Sequence, residues 1–364
     1  MSSPIEDLPT PAVLVDLDVL ERNIARQAER ARAAGVRLRP HAKTHKCPEI
    51  ARMQLAAGAD GISLAKTSEA EVFAAVGFDD IFIAYPVAGL GKAERLLALS
   101  DRLRLAAGTD SVEGARHLSE TFRAAGRRLD VLLKIDVGYH RVGVLPEKAL
   151  EVARRIAELP GISLKGIFTH AGQVYQAETP QAVAQIGRLE GETLFSCAEA
   201  LRRSGLSIEE VSVGSTPSAR HAMRVAGVTE CRPGNYVFHD GSQVALGTCY
   251  PEDCAMTILT TVVSVPAPDR VCVDAGSKTL SQDSLRPRAN GHGLILDTQS
   301  RLQSLSEEHG IARIEDGDSF RVGDRVRILP NHACVVSNLH DRLYGVRGGR
   351  IETEFRIAAR GRVE

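Results

Sequence analysis

The segment RLRPHAKTHKCPE, residues 37–49, crowds lysines and histidines into a short stretch that continues a predicted strand. Functional side chains of parallel barrels gather where strands end and loops begin. A lysine becomes a nucleophile when burial or neighbouring cations lower its pKa. His41, His45 and Lys46 are the cations expected around Lys43. Lys43 is therefore the candidate for covalent chemistry, and a solvated basic loop is the alternative.

Two small polar segments are candidates for holding a phosphate group. SVGSTPS, residues 212–218, contains glycine and hydroxyl residues, and such loops let backbone N–H groups approach a phosphate closely. CRPGNYVFHDG, residues 231–241, has a Pro-Gly turn before an aromatic run, so Gly234, Asn235 and Tyr236 could complete the same site. A plain surface loop and a structural turn are the alternatives.

A histidine and a cysteine in LPNHACVVSNLHD form a candidate metal site. His332 and Cys334 stand two positions apart, and in an extended segment their side chains point to the same side. An imidazole and a thiolate on one face suit Zn²⁺. A buried cysteine beside a hydrogen-bonded histidine is the alternative.

The elements that must position these residues alternate between short apolar strands and helical runs from about residue 12 to residue 245. Eight such units, counted from AVLVDLD to EEVSVGS, fit a closed (β/α)₈ barrel. An open doubly wound sheet is the alternative, but no G-x-G-x-x-G motif opens the first crossover. Residues 246–364 are β-rich, which predicts a second, all-β domain to which residues 1–11 are also assigned.

The first predicted helix covers DVLERNIARQAERARAAG. Asp18 is expected to cap it, with Glu21 three residues on as in a capping box, and Gly35 is expected to end it. The preceding AVLVDLD is interpreted as the first strand of the barrel.

Composition excludes several functional classes. The 364 residues are 43% hydrophobic and 25% charged, with a net charge of −1, which argues against a general nucleic-acid binder. No apolar run approaches the ~18 residues that span a membrane, and the N-terminal residues lack a secretory pattern. The seven cysteines are scattered without a C-x-x-C, which predicts a reduced, cytoplasmic setting.

Taken together, these motifs resemble the fold-type III pyridoxal-phosphate enzymes, the alanine-racemase-like barrels. The closest resemblance is to the D-serine dehydratase / D-threonine aldolase branch, and it spans nearly the whole chain. TPAVLVDLDVLERNIARQ resembles the N-terminal entry of that branch. The most specific segment is LRPHAKTHKCPEIARMQLAAGADGISLAKTSEAEVF, in which the lysine after R-P-H-x is the residue that binds the cofactor covalently. That lysine is Lys43.

The resemblance also implies roles for residues elsewhere in the chain. KIDVGYHRVGV resembles the D-x-G-x-x-R-x-G stretch whose arginine, here Arg141, contacts the cofactor ring oxygen. THAGQVY offers His170 and Tyr175 as acid–base or substrate contacts, with a structural role for His170 as the alternative. PNHACVV resembles the metal-binding H-x-C of the dehydratases, hence His332 and Cys334. The predicted cofactor-binding residues are Lys43, His41, Arg141, Tyr175, Gly214, Ser215, Thr216, Gly234, Asn235 and Tyr236.

The function implied is that of a lyase dependent on pyridoxal phosphate and a divalent metal, acting on D-β-hydroxy amino acids. Lys43 and His170 are the predicted catalytic residues. Aldolases of this branch tend to carry a carboxylate two residues after the metal-binding histidine, and here Cys334 stands there. A thiolate favours Zn²⁺ over Mn²⁺ or Mg²⁺ and so favours a dehydratase. A D-threonine aldolase is the alternative, a metal-independent racemase comes third, and a homodimer is expected.

Overall fold

The computed structural model describes residues 3–285 and 290–364. The strands in these ranges are β1 Ala12–Asp16, β2 Arg37–Leu38, β3 Ile62–Leu64, β4 Asp80–Pro86, β5 Arg104–Thr109, β6 Leu129–Lys134, β7 Ile162–Phe168, β8 Glu210–Val213, β9 Glu230–Cys231, β10 Met256–Ala267, β11 Arg270–Val273, β12 Gly293–Ile295, β13 Leu302–Leu305, β14 Gly310–Arg313, β15 Arg325–Pro330, β16 Arg342–Arg347 and β17 Arg350–Arg356. The helices are α1 Leu17–Ala33, α2 Pro48–Ala56, α3 Thr67–Ala75, α4 Leu90–Leu99, α5 Val112–Ala124, α6 Ala149–Ala157, α7 Pro180–Arg203, α8 Thr216–Ala222, α9 Gly241–Ala245, α10 Ser277–Leu280 and α11 Ala333–Leu339.

Strands β2 to β9 form one parallel sheet in the order β2-β9-β8-β7-β6-β5-β4-β3. A parallel bridge between His41 and Ser63, supported by a hydrogen bond from Ser63 N to Pro40 O of 2.8 Å, joins the two ends of that order. The sheet is therefore a closed barrel, as the sequence predicts. Phe82 and Phe168 pack inside it with ring centroids 5.1 Å apart in an edge contact.

The first predicted barrel strand is wrong. Strand β1 pairs with β10 and β16 in the other sheet, and the barrel begins at β2. The eighth barrel strand is instead β9, whose two residues pair with β2 and β8. Apolar periodicity identifies a strand but not its partners, and a two-residue strand is too short to produce a period.

The second sheet is mainly antiparallel and is organised by the long strand β10. The successive segments of β10 pair with β1, with β15 and with β11. Strand β16 pairs with β1 in parallel and with β17 in antiparallel orientation. The all-β character predicted for the C-terminal part is confirmed, with short helices α10 and α11 inserted between its strands.

Helix α1 begins two residues earlier than predicted. The carboxylate of Asp16 accepts a hydrogen bond from Val19 N at 3.0 Å, so Asp16 rather than Asp18 caps the helix. Gly35 follows the last turn with a φ of 67°, a left-handed conformation that glycine adopts without steric cost. The predicted end of α1 is thus confirmed.

By its internal contacts the chain divides into two compact units. One unit contains residues 26–43, 51–234 and 361–364, and the other contains residues 1–25, 44–50 and 235–360. The domain boundaries drawn from the sequence, 12–245 and 246–364, stay a prediction. Among the helices in the described ranges, none has the length and apolarity required to cross a membrane.

Candidate active site

The carboxyl end of the barrel carries a cluster of cationic side chains. Lys43 lies in the 3-10 turn Ala42–Thr44 that follows β2, and Lys134 is the last residue of β6. Lys134 is buried, and no carboxylate in residues 3–285 and 290–364 forms an ion pair with it. Burial, together with the charges of Arg232, Arg141 and Lys43, lowers the pKa of Lys134 to about 7. The sequence reasoning missed Lys134, although a lysine inside the apolar run VLLKI is itself a signal.

Two imidazoles in the barrel are held neutral beside these cations. Burial and the ammonium of Lys43 hold the pKa of His41 and of His170 well below the usual range. The Nδ1 atom of His170 lies 3.1 Å from the carbonyl oxygen of Gly214, to which it donates. The Nδ1 atom of His41 is buried, with no hydrogen-bond partner among the described residues. Each imidazole can therefore accept a proton or a ligand hydrogen bond at neutral pH.

The loop after β6 is shaped by one carboxylate. Asp136 accepts hydrogen bonds from the backbone N–H groups of Gly138, Tyr139 and His140 at 3.0–3.1 Å. Beyond this turn the guanidinium of Arg141 lies 4.8 Å from the ring centroid of Tyr139. Hydrogen bonds to the ionised form lower the pKa of Asp136 despite its burial, so the turn is stable at neutral pH.

Tyr139 connects this loop to the loop after β7. Its ring contacts the ring of His170 edge-on, with centroids 5.9 Å apart. A Cβ atom at Gly172 would lie 2.4 Å from Cε1 of Tyr139, so only glycine fits there. Tyr139 thus packs between Arg141 and His170, a placement that the sequence did not indicate.

The hydroxyl loop after β8 is fixed from two sides. Gly214 has a φ of 137°, and its N–H donates to the carboxylate of Glu190 at 2.9 Å. The N–H of Gly214 is thus already used within the protein. Ser215 precedes α8 and shares a 2.8 Å hydrogen bond with the hydroxyl of Ser218, and Thr216 is the first residue of α8.

Arg232 directly follows β9 and is a further buried cation of the barrel. It was not predicted from the sequence. It is buried and donates to the hydroxyl of Ser212 and to the carbonyl of Thr169. Its guanidinium carbon lies 5.3 Å from the ring centroid of Phe168. Its Nε atom is buried without a described partner. A charged residue directly after the two-residue strand β9 carries no recognisable pattern.

In the other unit, His332 and Cys334 are not on an extended segment, so that prediction is wrong. His332 is extended but occupies the N-cap position of α11, and Cys334 lies inside the first turn of that helix. The carboxylate of Asp240 starts the helix by accepting a hydrogen bond from Ala333 N at 2.9 Å. The imidazole and the thiol still contact each other, because His332 is hydrogen-bonded to Cys334.

The imidazole of His332 is oriented by a carboxylate. Its Nδ1 atom lies 2.5 Å from Oδ2 of Asp283, which leaves Nε2 for a ligand. Burial lowers the pKa of His332, but Cys334 and Asp283 raise it more, to about 11. The sulfur of Cys334 lies 3.3 Å from the hydroxyl of Thr44. Within residues 3–285 and 290–364, no group of three or more His, Cys, Asp or Glu side chains could hold a metal ion.

The boundary between the two units falls within the segment predicted to hold the phosphate. Gly234 is buried at the end of the barrel unit, where the neighbouring Pro233 accepts a hydrogen bond from His41 N at 3.0 Å. Asn235 belongs to the other unit, where its amide nitrogen lies 2.6 Å from Asp240 and 3.9 Å from the sulfur of Cys334. Its Oδ1 atom is buried without a described partner, so a ligand contact by Asn235 stays a prediction.

The aromatic and cationic candidates are also distributed over both units. Tyr236 is buried in the unit of Asn235, and Tyr175 is partly exposed in the 3-10 turn Gly172–Gln176 of the barrel unit. His45 accepts a hydrogen bond from Cys47 N at 3.1 Å, and Lys46 donates to Asn338 at 2.8 Å. The sequence predicted His45 and Lys46 as cations acting together with Lys43, whereas the structure shows Lys134 in that role.

The residues present fit pyridoxal phosphate and a soft divalent metal. Within the described ranges no carboxylate forms an ion pair with Lys134, and the buried Nδ1 atom of His41 and Nε atom of Arg232 have no described partners. An anionic cofactor would supply the missing charge and acceptors. Nitrogen and sulfur atoms at His332 and Cys334 form the donor set of zinc.

Comparisons with known proteins agree with this geometry. The model of the alanine racemase N-terminal domain matches residues 15–241, and that of the putative serine dehydratase domain matches residues 255–346. The chain is 40% identical to a D-threo-3-hydroxyaspartate dehydratase of Delftia sp. (strain HT23), over 92% of this chain and 93% of the relative. It is 35% identical to a D-threonine aldolase of Arthrobacter sp., over 98% and 94% of the two chains.

A solved structure of a relative in a metal-free form extends this comparison. The metal-free form of a D-threo-3-hydroxyaspartate dehydratase with one cysteine replaced by alanine matches with a TM-score of 0.91 and 36% identity, covering 97% of this chain and 98% of that chain. The closed parallel barrel, matched by the alanine racemase N-terminal domain, places the chain among the fold-type III pyridoxal-phosphate enzymes. Within this class, the chain belongs to the D-serine dehydratase / D-threonine aldolase family.

Proposed function

We propose that the protein is a metal-dependent dehydratase of D-β-hydroxy amino acids, converting D-serine, D-threonine or D-3-hydroxyaspartate to a keto acid and ammonia. The observation that carries this proposal is the contact of the Cys334 thiol with a His332 imidazole oriented by Asp283. A thiolate is a soft ligand that favours Zn²⁺ over Mn²⁺ or Mg²⁺. The 40% identity to a D-threo-3-hydroxyaspartate dehydratase supports it.

Pyridoxal phosphate, when bound, supplies the electron sink that permits bonds at Cα to break. In this proposal Lys43 Nζ holds the cofactor and then accepts the Cα proton of the substrate. The charges of Lys43 and Arg141 both act on Lys134, so these three cationic groups lie together at the barrel mouth. Arg141, held on Tyr139, is assigned to the cofactor ring oxygen.

His170 is proposed as a second acid–base residue. Its Nδ1 proton is engaged by Gly214 O, so Nε2 is the nitrogen that exchanges a proton. Burial keeps the ring neutral, which suits a group that takes up a proton during turnover. His41 is proposed as a cofactor contact through its unpartnered Nδ1 atom.

His332 Nε2 and the Cys334 sulfur would hold the metal, which supplies Lewis acidity toward the substrate's β-hydroxyl group. Asp283 fixes the tautomer of His332 and keeps Nε2 directed to the ligand. Because the protein supplies only two ligands within the described ranges, water and substrate would complete the coordination shell. We assign zinc on the softness of the thiolate.

A D-threonine aldolase activity is the second candidate, supported by the 35% identity to the Arthrobacter aldolase over 98% of this chain. Product analysis distinguishes the two. The purified protein is incubated with pyridoxal phosphate, Zn²⁺ and each D-β-hydroxy amino acid, and the products are identified by proton NMR. Keto acid with ammonia supports the dehydratase, glycine with an aldehyde shows the aldolase, and racemised substrate alone would contradict both.

The homodimer and the cytoplasmic location remain predictions from the sequence. Size-exclusion chromatography with light scattering tests the dimer. A reduced compartment is consistent with the seven cysteines, all of which are free thiols in the structure.

A further inference from the structure

Two thiols outside the proposed catalytic groups lie together in a small apolar cluster. Cys249 and Cys254 pack with Leu329, and the partly buried Val244 and Leu294 cover the cluster. Both thiols are buried in this one cluster, where each shifts the pKa of the other. The mechanism proposed above uses neither of them.

The chain between the two thiols folds so that they meet. Tyr250 O accepts hydrogen bonds from Asp253 N at 3.0 Å and from the sulfur of Cys254 at 3.8 Å. Pro251 O accepts a hydrogen bond from Cys254 N at 3.0 Å, which closes the 3-10 turn Pro251–Asp253. Tyr250 itself is 75% exposed, so the turn that joins the two buried thiols reaches the surface of its unit.

The surroundings make one of these thiols reactive. Hydrogen bonds from Cys254 and then from His239 lower the pKa of Cys249 to about 6, against the effect of its burial. The other buried thiols are different, because burial raises the pKa of Cys197 to about 11 and of Cys231 to about 12. Cys249 is therefore the more acidic thiol of the pair, and Cys254 is its partner.

We propose that Cys249 and Cys254 form a redox-active pair that hydrogen peroxide oxidises to a reversible disulfide. The Cys249 thiolate attacks a peroxide oxygen, the O–O bond breaks, and Cys249 becomes a sulfenic acid while the departing oxygen leaves as water after protonation. The sulfur of Cys254 then attacks the sulfur of Cys249, the S–O bond breaks, and a second water leaves. Two thiols and one peroxide thus give one disulfide and two waters.

A metal site formed by the same two thiols is not supported. No third His, Cys, Asp or Glu in residues 3–285 and 290–364 joins them in an arrangement that could hold an ion. The disulfide needs only the two sulfurs and a short turn, and both are present. The pair also lies against Leu329, near the end of the strand that leads to Asn331 and His332.

The sequence permits a direct test with the holoprotein. A protease that cuts before aspartate separates residues 240–252, which contain only Cys249, from residues 253–268, which contain only Cys254. Reduced protein is treated with hydrogen peroxide, remaining thiols are blocked with a maleimide, and the digest is analysed by mass spectrometry. We expect the two peptides to be joined, two hydrogen atoms lighter than their sum, and to separate after a thiol reductant.

Two variants and two internal controls sharpen the result. In Cys254→Ser, Cys249 should accumulate as a sulfenic acid captured by dimedone, whereas in Cys249→Ser the remaining Cys254 should stay unoxidised. Cys197 and Cys231 should remain thiols in every sample. The proposal is overturned if the two peptides remain separate, or if Cys249 oxidises beyond sulfenic acid without linking, at peroxide levels that leave Cys197 and Cys231 intact.

Discussion

Lys43 and Lys165 are both lysines of the barrel, but only Lys43 follows a strand into the cationic mouth. Lys165 pairs with Glu209 at 3.2 Å and is partly exposed. We expect Lys43→Ala to abolish the absorbance of lysine-bound cofactor and to lower turnover by at least ~10³-fold, because the nucleophile and the base are lost together. Lys165→Ala should retain both, and spectrophotometry with an activity assay compares them. Lysine-bound absorbance persisting in Lys43→Ala would show that another lysine binds the cofactor.

The buried ammonium of Lys134 couples stability to pH. Its pKa in the folded protein is about 7, below the ordinary lysine value of 10.5, so the unfolded chain binds more protons between these values. The stability of the cofactor-free protein should therefore rise from about pH 7 toward pH 10 and be lost as pH falls through about 7. Lys134→Met should flatten this slope and Lys165→Met should not, as measured by urea unfolding at several pH values. An unchanged slope in Lys134→Met would disprove the coupling.

Asp283 is expected to act through His332. Replacing Asp283 by Asn removes the acceptor that fixes the Nδ1 proton, so Zn²⁺ affinity should fall about 10- to 100-fold while the cofactor absorbance is unchanged. Asp297→Asn is the matched control, since the Asp297 side chain is 89% exposed and forms a long ion pair of 3.9 Å with Arg327. Titration against a chelator of known affinity measures both. Equal zinc affinities in the two variants would remove Asp283 from the site.

At the scale of elements, the loop after β6 and the turn after β7 depend on one close contact. Gly172→Ala would place a Cβ atom 2.4 Å from the ring of Tyr139, and such overpacking costs about 1–3 kcal/mol. We expect lower thermal stability and lower turnover, because Tyr139 contacts both Arg141 and His170. Combining Gly172→Ala with Tyr139→Ala should recover part of the stability, which a double-mutant cycle measures.

The control for this prediction is Gly91 in helix α4, where an added Cβ meets no heavy atom within 4 Å. Gly91→Ala should be neutral or stabilising by up to about 1 kcal/mol, since alanine is the better helix former. A similar loss in both variants would mean that glycine flexibility rather than the Tyr139 contact matters at residue 172.

The elements themselves were largely predictable, but their partners were not. Strands β3 to β8 follow from their apolar runs, and Gly35 ends α1 as its type requires. The assignment of β1 to the barrel failed because its partners β10 and β16 lie far along the chain. Strand β9 escaped notice because two residues cannot show a period.

The site was predictable where a residue type and a position at a strand end coincide. Lys43, Arg141 and His170 lie at the carboxyl ends of barrel strands, as expected. Lys134, Tyr139 and Arg232 were missed, since burial of a charge and contact between two loops are properties of the folded chain. The extended geometry assumed for His332 and Cys334 failed because Asp240, remote in sequence, starts a helix between them.

At the scale of the whole molecule, the proposed metal should be separable from the cofactor, because its ligands and Lys43 belong to different units. We expect a strong chelator to abolish lyase turnover and leave the cofactor absorbance intact, and added Zn²⁺ to restore the activity. Turnover measured before chelation, after it and after metal addition checks this. Full activity in the chelated protein would favour a racemase-like reaction and contradict the lyase.

Strand β1 lies between β10 and β16, and its residues Val13 and Val15 are almost completely buried there. On the ribosome these residues are synthesised well before β10, which begins at Met256, and β16, which begins at Arg342. At roughly 5–20 residues per second, this apolar segment waits tens of seconds for its partners. During that time the segment is an unpaired, aggregation-prone strand of the nascent chain.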